Sequence, residues 1–413
     1  MQRLKFVNKI LFTALIFIIT APLEMSAEGI TILKHKNSTE LLTDWSGIEK
    51  PENSVIRLTL SGSGSILLKN DENTDKLRFS TGAAPVTVDL HNSMTGLIPH
   101  SITLDGSSFD LLSAEISPEK NEAGVQQADI GHIIFSEFAA AGGKPWNVYS
   151  WNLIPEVLIF DTADYETQAR LFKRLAFFVE KPGYTGRLVP NEELEGKHGW
   201  NAHDYRPEDL AEFFNKAAET GFSLNTEEVM LKEHLLSHGI ILSDGELYSA
   251  GKGAVLSVSR ETLPNWRYRF LTHECLHGLF FTNEDYRDDM FEAFDSLSSD
   301  EIEFWKHLLD YRNYDVENKY LLVNEHMAYS LQQPVEEIDE YFKGFLYKKM
   351  IAARPWENEF VAEFEKNNST SFRSTVSKLE KILYNYTGRL SGHLANLYPI
   401  EIDEQFYNLF PPI

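Results

Sequence analysis

The chain has 413 residues, a formal net charge of −24 and a single cysteine, Cys275. That length allows two or three domains, and the excess of acid excludes nucleic acid and anionic lipid as natural partners. One cysteine excludes an intramolecular disulfide, so packing must supply the stability, as in a bacterial periplasmic or secreted protein.

Arg3, Lys5 and Lys9 precede an apolar run over residues 10–21, which ends at Pro22 and is followed by Met25-Ser26-Ala27. The run is too short to span a bilayer comfortably, and residues 1–27 read as a cleaved secretory signal. No later stretch is long and apolar enough for a membrane helix. Residues 28–128 read as an all-β, sandwich-like domain. Short alternating runs at 55–60 and 65–68 are separated by Ser61-Gly62-Ser63-Gly64 and followed by Asn70-Asp71-Glu72-Asn73, both rich in turn residues. No catalytic constellation falls there, so the domain suits a docking or a structural role. The polar stretch at 117–122 predicts a linker.

Residues 129–413 form the second unit. Apolar runs at 130–138 and 157–160 predict strands. Helical spacing starts after Asp161-Thr162-Ala163-Asp164, with Leu171, Leu175, Phe178 and Val179 on one face and Lys181-Pro182-Gly183 as the stop. Two more helices follow Arg206-Pro207 and Asn225-Thr226. Asp244-Gly245 predicts a hairpin, and residues 254–258 predict a third strand. Everything after Leu263 reads as helical. The expected fold class is therefore α+β.

Thr262 and Pro264 are suitable start signals for a helix that Gly278 or Asn283 could end. Within it lies His273-Glu274-Cys275-Leu276-His277. Histidines four apart stand one above the other, so both imidazoles can reach one Zn²⁺. Glu274 is rotated by about 100° from His273, which sets its carboxylate beside the metal as a base for water. Cys275 faces another side and reads as a small buried hydrophobe. A catalytic zinc usually takes a third protein ligand and keeps one position open. Glu325, in Asn324-Glu325-His326-Met327-Ala328-Tyr329, is the favoured candidate. Its helix, opened at Asp315, carries a Val323, Met327, Leu331 stripe that predicts packing on the motif helix. Glu284, Asp285 and His326 are the rivals.

These two motifs resemble the gluzincin, thermolysin-like branch of the zincin metallopeptidases, in which a helix bearing the two histidines is followed by one bearing Asn-Glu-x-x-Ala/Ser. The metzincin pattern is absent, since position 283 is Asn and position 280 is Phe. The resemblance implies zinc on His273, His277 and Glu325, with Glu274 as base, in a zincin-like domain. It also implies an edge strand before the metal helix that holds the peptide, a place that residues 254–259 occupy. An oxyanion donor is expected as well, with Tyr329 and Tyr286 as candidates. His203-Asp204 could orient substrate, although a hydrogen-bonded structural histidine is the plainer reading. The expected protein is a secreted or periplasmic zinc peptidase acting on a peptide or protein. Its rivals are an exported binding or scaffold protein with a structural zinc site, and a zinc amidase acting on a cell-wall amide.

Overall fold

Two long, bent strands organise the N-terminal third of the chain, in a computed structural model that describes residues 23–399 except 28, 49–53, 72–73, 82–84, 91–98, 119–120, 123–124, 137, 139–143 and 198. Strands β1 (Leu23–Ala27), β2 (Ile30–Lys34), β3 (Ser38–Thr43), β4 (Ser54–Lys69), β5 (Thr74–Ser80), β6 (Val86–Leu90) and β7 (Ser101–Pro118) belong to one antiparallel sheet. β4 and β7 pair from end to end, with register shifts at Thr59/Leu60 and Ser63/Ser65. β6 pairs with the first half of β4 and β5 with the second. Leu58, Leu60, Ile66, Leu68, Ile102 and Leu104 from both halves share one core. The sandwich-like packing therefore comes from one bent sheet rather than from two. Residues 61–64, which the sequence marks as a turn, are the bend inside β4. A Cβ on Gly62 would lie 2.0 Å from the Ser108 carbonyl oxygen, so glycine is what lets β7 approach there. The expected signal segment lies outside the described residues as far as residue 22, and its last five residues are β1, paired with β2.

Of the stretch predicted as a linker, residues 117–118 end β7 and residues 121–122 form a short strand, β8 (Asn121–Glu122), of the second sheet. After β9 (Val125–Ala128), the run expected as a strand begins with a helix, α1 (Ile130–Phe135). An apolar run buried on all sides has no period to separate helix from strand; its ends decide. The Asp129 carboxylate accepts from Gly131 N at 2.8 Å, and Arg267 donates to the Ile133 and Ile134 carbonyls at 2.6 Å each.

The second sheet adds β10 (Trp146–Trp151), β11 (Val157–Thr162), β12 (Ala202–Tyr205) and, after the hairpin β13 (Ile241–Ser243) and β14 (Tyr248–Ala250), β15 (Ala254–Ser259). Its order is β12-β15-β11-β10-β9-β8. β15 lies parallel to β11 and antiparallel to β12, so it is an interior strand and not the expected edge; β12 is the edge. Every residue of β11 and β15 is buried, since both faces of the sheet are covered. Leu158, Phe160 and Val255 face a core with helices α2 (Tyr165–Val179), α3 (Pro207–Thr220) and α4 (Thr226–Ser237). Val157, Ala254, Leu256 and Val258 face the motif helix α5 (Pro264–Thr282). Gly278 does not stop α5. A Cβ there would lie 3.2 Å from Val157 Cγ1, so the glycine seats the helix on the sheet.

Helices α6 (Glu284–Asp295), α7 (Ser299–Tyr311), α8 (Lys319–Leu331) and α9 (Ser371–Thr387) build most of the rest, giving an α+β chain with a largely helical C-terminal part. Asn318 caps α8, not Asp315, by accepting from Leu321 N at 3.2 Å. Val323, Met327 and Leu331 are fully buried, as their stripe predicts. The end of the chain corrects the all-helical expectation, because β16 (Leu397–Pro399) pairs with β5. Among the described residues, no helix is long and apolar enough to cross a membrane.

Asp129 ties these parts together. Besides capping α1, it accepts from Asn396 N at 2.9 Å and Leu397 N at 3.3 Å, fixing the strand that closes the first sheet. Losing a cap and two bonds to a carboxylate should cost about 3 kcal/mol. Asp129→Ala is therefore expected to lower the urea midpoint clearly, and an unchanged midpoint would remove this role.

Candidate metal centre

Helix α5 carries the motif through the middle of the protein. His273, Glu274 and His277 are all buried, with His277 only 1% exposed. The two imidazoles turn their Nε2 atoms toward each other at 3.0 Å. Across from them, on α8, the Glu325 carboxylate oxygens lie 3.5 Å from His273 Nε2 and 3.7 Å from His277 Nε2. A tetrahedral ion with bonds of about 2.0–2.1 Å has ligand atoms about 3.3–3.4 Å apart. Here each Glu325 oxygen faces a different histidine, and one atom from each residue lies within 4.8 Å of the others, a spacing from which the three could close on a metal ion. Glu325 Oε2 has no hydrogen-bond partner among the described residues although it is buried. Burial holds His273 down to about 4, which keeps the ring neutral and its nitrogen free to bind a metal, and burial raises Glu325 to about 7. The donor set fits a divalent ion such as zinc.

The surrounding residues orient these donors. Gln332, the residue that ends α8, accepts from His273 Nδ1 at 3.1 Å through Oε1, leaving the Nε2 lone pair for the ion. Tyr329 sets its ring edge-on to His273, centroids 4.8 Å apart. Tyr314 lies beside both Glu325 and Tyr329, where its hydroxyl favours the ionised form of each. Asp204, on the edge strand β12, approaches His277 on its Nδ1 side at 4.0 Å. Asp204, Glu274 and His277 also lie close enough to share a cation. The Nε2 of His277 nevertheless faces His273, so the set with Glu325 is the one whose nitrogens converge.

All of these groups open onto one cleft of about 750 Å³. Its acidic lining raises proton affinity. Burial, and then the Asp204 and Glu325 carboxylates, push Glu274 well above the carboxylate range. Glu180 is raised in the same way by burial, Asp204 and Glu325. Trp200 lines the same cleft: its Nε1 donates to Glu180 at 2.8 Å, and its ring stacks on Tyr314 at 6.0 Å.

The rival ligands fall elsewhere. Glu284 and Asp285 are exposed in the first turn of α6. His326 lies in an aromatic core between Phe294 and Trp305, where burial lowers it to about 3. Tyr286 is fully buried against Tyr386, away from the cleft, so of the two expected candidates only Tyr329 lines it. His203 is a structural histidine, stacked on Phe172 and bonded to Ser257 Oγ at 2.8 Å, whereas its neighbour Asp204 faces the cleft. Cys275 is buried in the core, where desolvation raises its thiol well above the usual value. Sequence reasoning missed Gln332, Tyr314, Arg312 and Glu180. Of these only Gln332 had a signal: Glu325, Tyr329 and Gln332 follow i, i+4, i+7 spacing along α8.

No protein-family model matches the chain, and no curated protein and no solved structure matches it.

Zinc affinity tests the ligand set. Glu325→Ala should lose stoichiometric zinc in a chelator competition, and Gln332→Ala should bind zinc about 10- to 100-fold more weakly. Glu284→Ala and Asp285→Ala should match the parent. Full zinc retention in Glu325→Ala would move the third ligand elsewhere.

Proposed function

We propose that the protein is an exported zinc-dependent peptidase of the zincin type, with His273, His277 and Glu325 as ligands and Glu274 as general base. The observation that carries this reading is the convergence of two imidazole nitrogens and one carboxylate onto a point that faces a large cleft. Three protein donors and an accessible fourth side suit catalysis better than a closed structural site. Zinc held there supplies a Lewis acid for the scissile carbonyl and makes water acidic enough to attack near neutral pH.

The chain's own residues provide the rest. Glu274, one residue on from His273, takes the proton of the attacking water and passes it to the leaving amine. Tyr329 offers a phenol for the developing oxyanion. The free side of β12 presents backbone N–H and C=O groups beside the cleft, so an extended peptide is held on β12 rather than on β15.

Glu274→Gln should keep bound zinc and lose about 10²- to 10⁴-fold in hydrolysis of a quenched peptide library. Tyr329→Phe should lower kcat more than it raises KM. Parent-like turnover in Glu274→Gln would end the peptidase assignment.

A further inference from the structure

The cleft carries both signs of charge, and they come from different parts of the chain. Glu180, Asp204 and Glu261 belong to the sheet half, while Arg269, Arg312 and Lys349 belong to α5 and the helices after it. Arg269 lies 3.6 Å from the Glu337 carboxylate, and Lys349 is exposed over the Phe345 ring. Arg312 is different. It is half-buried, and its Nε donates to the Tyr329 hydroxyl at 3.2 Å. Tyr329, Tyr341 and Tyr314 lie around it, and its charge also favours the ionised form of Glu325. Among the described residues no carboxylate lies within ion-pair distance of it, and its two terminal nitrogens make no hydrogen bond. The cleft also holds Glu180, Asp204, Glu274 and Glu325, yet among the described residues none of them is ion-paired to this guanidinium.

Its position is built by the backbone. α7 ends in a Schellman turn, with Asn313 N bonded to Asp310 O and Tyr314 N to Leu309 O, both at 3.0 Å. Asn313, at φ 73°, is the one non-glycine residue with positive φ among those described. This turn delivers Arg312 and Tyr314 together into the cleft, where Tyr314 reaches Glu325 and Arg312 holds Tyr329.

We propose that Arg312 binds the C-terminal carboxylate of the substrate, so that the cleft selects peptides whose free end lies close to the scissile bond. A planar guanidinium with free terminal nitrogens matches a carboxylate with two parallel bonds. An ordinary peptide carries that group at its end. Bonding to the substrate also supplies the direct ion pair that the fold does not give this cation. This inference rests on the peptidase reading and adds to it which end of the substrate is recognised.

The test uses zinc-loaded full-length Glu274→Gln, which holds peptides without turnover. Calorimetry compares a tripeptide acid with the same tripeptide as its C-terminal amide. The acid should bind about 10- to 100-fold more tightly. Adding Arg312→Ala should abolish that preference, Arg312→Lys should retain part of it, and Tyr329→Phe, which leaves the guanidinium in place, should keep it. Zinc content and thermal midpoint check that each variant is folded, and Arg312→Lys serves if Arg312→Ala is not. Equal binding of acid and amide, or a preference that survives Arg312→Ala, would overturn the assignment. It falls as well if neither peptide binds; hydrolysis of a long end-blocked peptide by the parent then shows whether the peptidase reading stands without it.

Discussion

Helix α5 lies between the second sheet and α8, buried from Leu271 to Phe280, and at its centre it carries two imidazoles and a carboxylate. Polar groups withdrawn from water are costly unless something satisfies them. The apolar neighbours Leu271, Leu276 and Leu279 can satisfy none of these. The imidazole nitrogens have each other at 3.0 Å and one oxygen each of the Glu325 carboxylate at 3.5 and 3.7 Å, a cluster of acceptors that a divalent cation would satisfy. Tight packing around α5 maintains that arrangement. Gly278 lets the helix lie on Val157, and the buried stripe of α8 brings Glu325 to the same level on the other side.

The carboxylates of the cleft extend this constraint outward. Glu180, Asp204, Glu274 and Glu325 act on one another through a low-dielectric region, and both Glu180 and Glu274 are raised well above their ordinary values by burial and then by their neighbours. Such a set stays ionised only beside positive charge. The chain itself brings little: Arg312 is turned toward phenols, and Lys181 is drawn over the Trp200 ring with its Nζ 3.0 Å from the centroid. A cation bound among these carboxylates would favour their charged forms, a local effect that the −24 net charge does not convey.

The parts of this centre that were legible in the sequence are those governed by a short period. Histidines four apart on a helix have to converge, and Glu325 lay on a helix whose stripe of Val323, Met327 and Leu331 oriented it toward α5. The hairpin at Asp244-Gly245 and the cap at Asp164 were legible for the same reason, since turn and cap chemistry is local. Tertiary context decided the rest. The run after Asp129 became a helix because Arg267, more than 130 positions later, satisfies its last carbonyls. Residues 61–64 became a bend within a strand because Ser108 and Phe109 pair across them. β15 lost its expected edge to β12, a four-residue strand too short to announce itself by alternation. Arg312 and Tyr314 were invisible because their orientation comes from a turn that uses Asn in place of the commoner glycine.

The cleft forms where the edge of the sheet meets the helical half, and α5 is the element shared by both sides. Its early part holds α1 through Arg267, its middle holds the motif, and its end leads straight into α6 at Asn283. On the sheet side, β12 contributes Asp204. On the helical side, the Schellman turn contributes Arg312 and Tyr314. Stacking of Trp200 on Tyr314 joins the two sides directly, while Trp200 also anchors Glu180. A displacement of either side would therefore separate Tyr314 from Trp200, and with it shift a hydroxyl that reaches Glu325. The geometry of the candidate ligands and the shape of the cleft are coupled through one aromatic pair, so both are parts of a single packed structure.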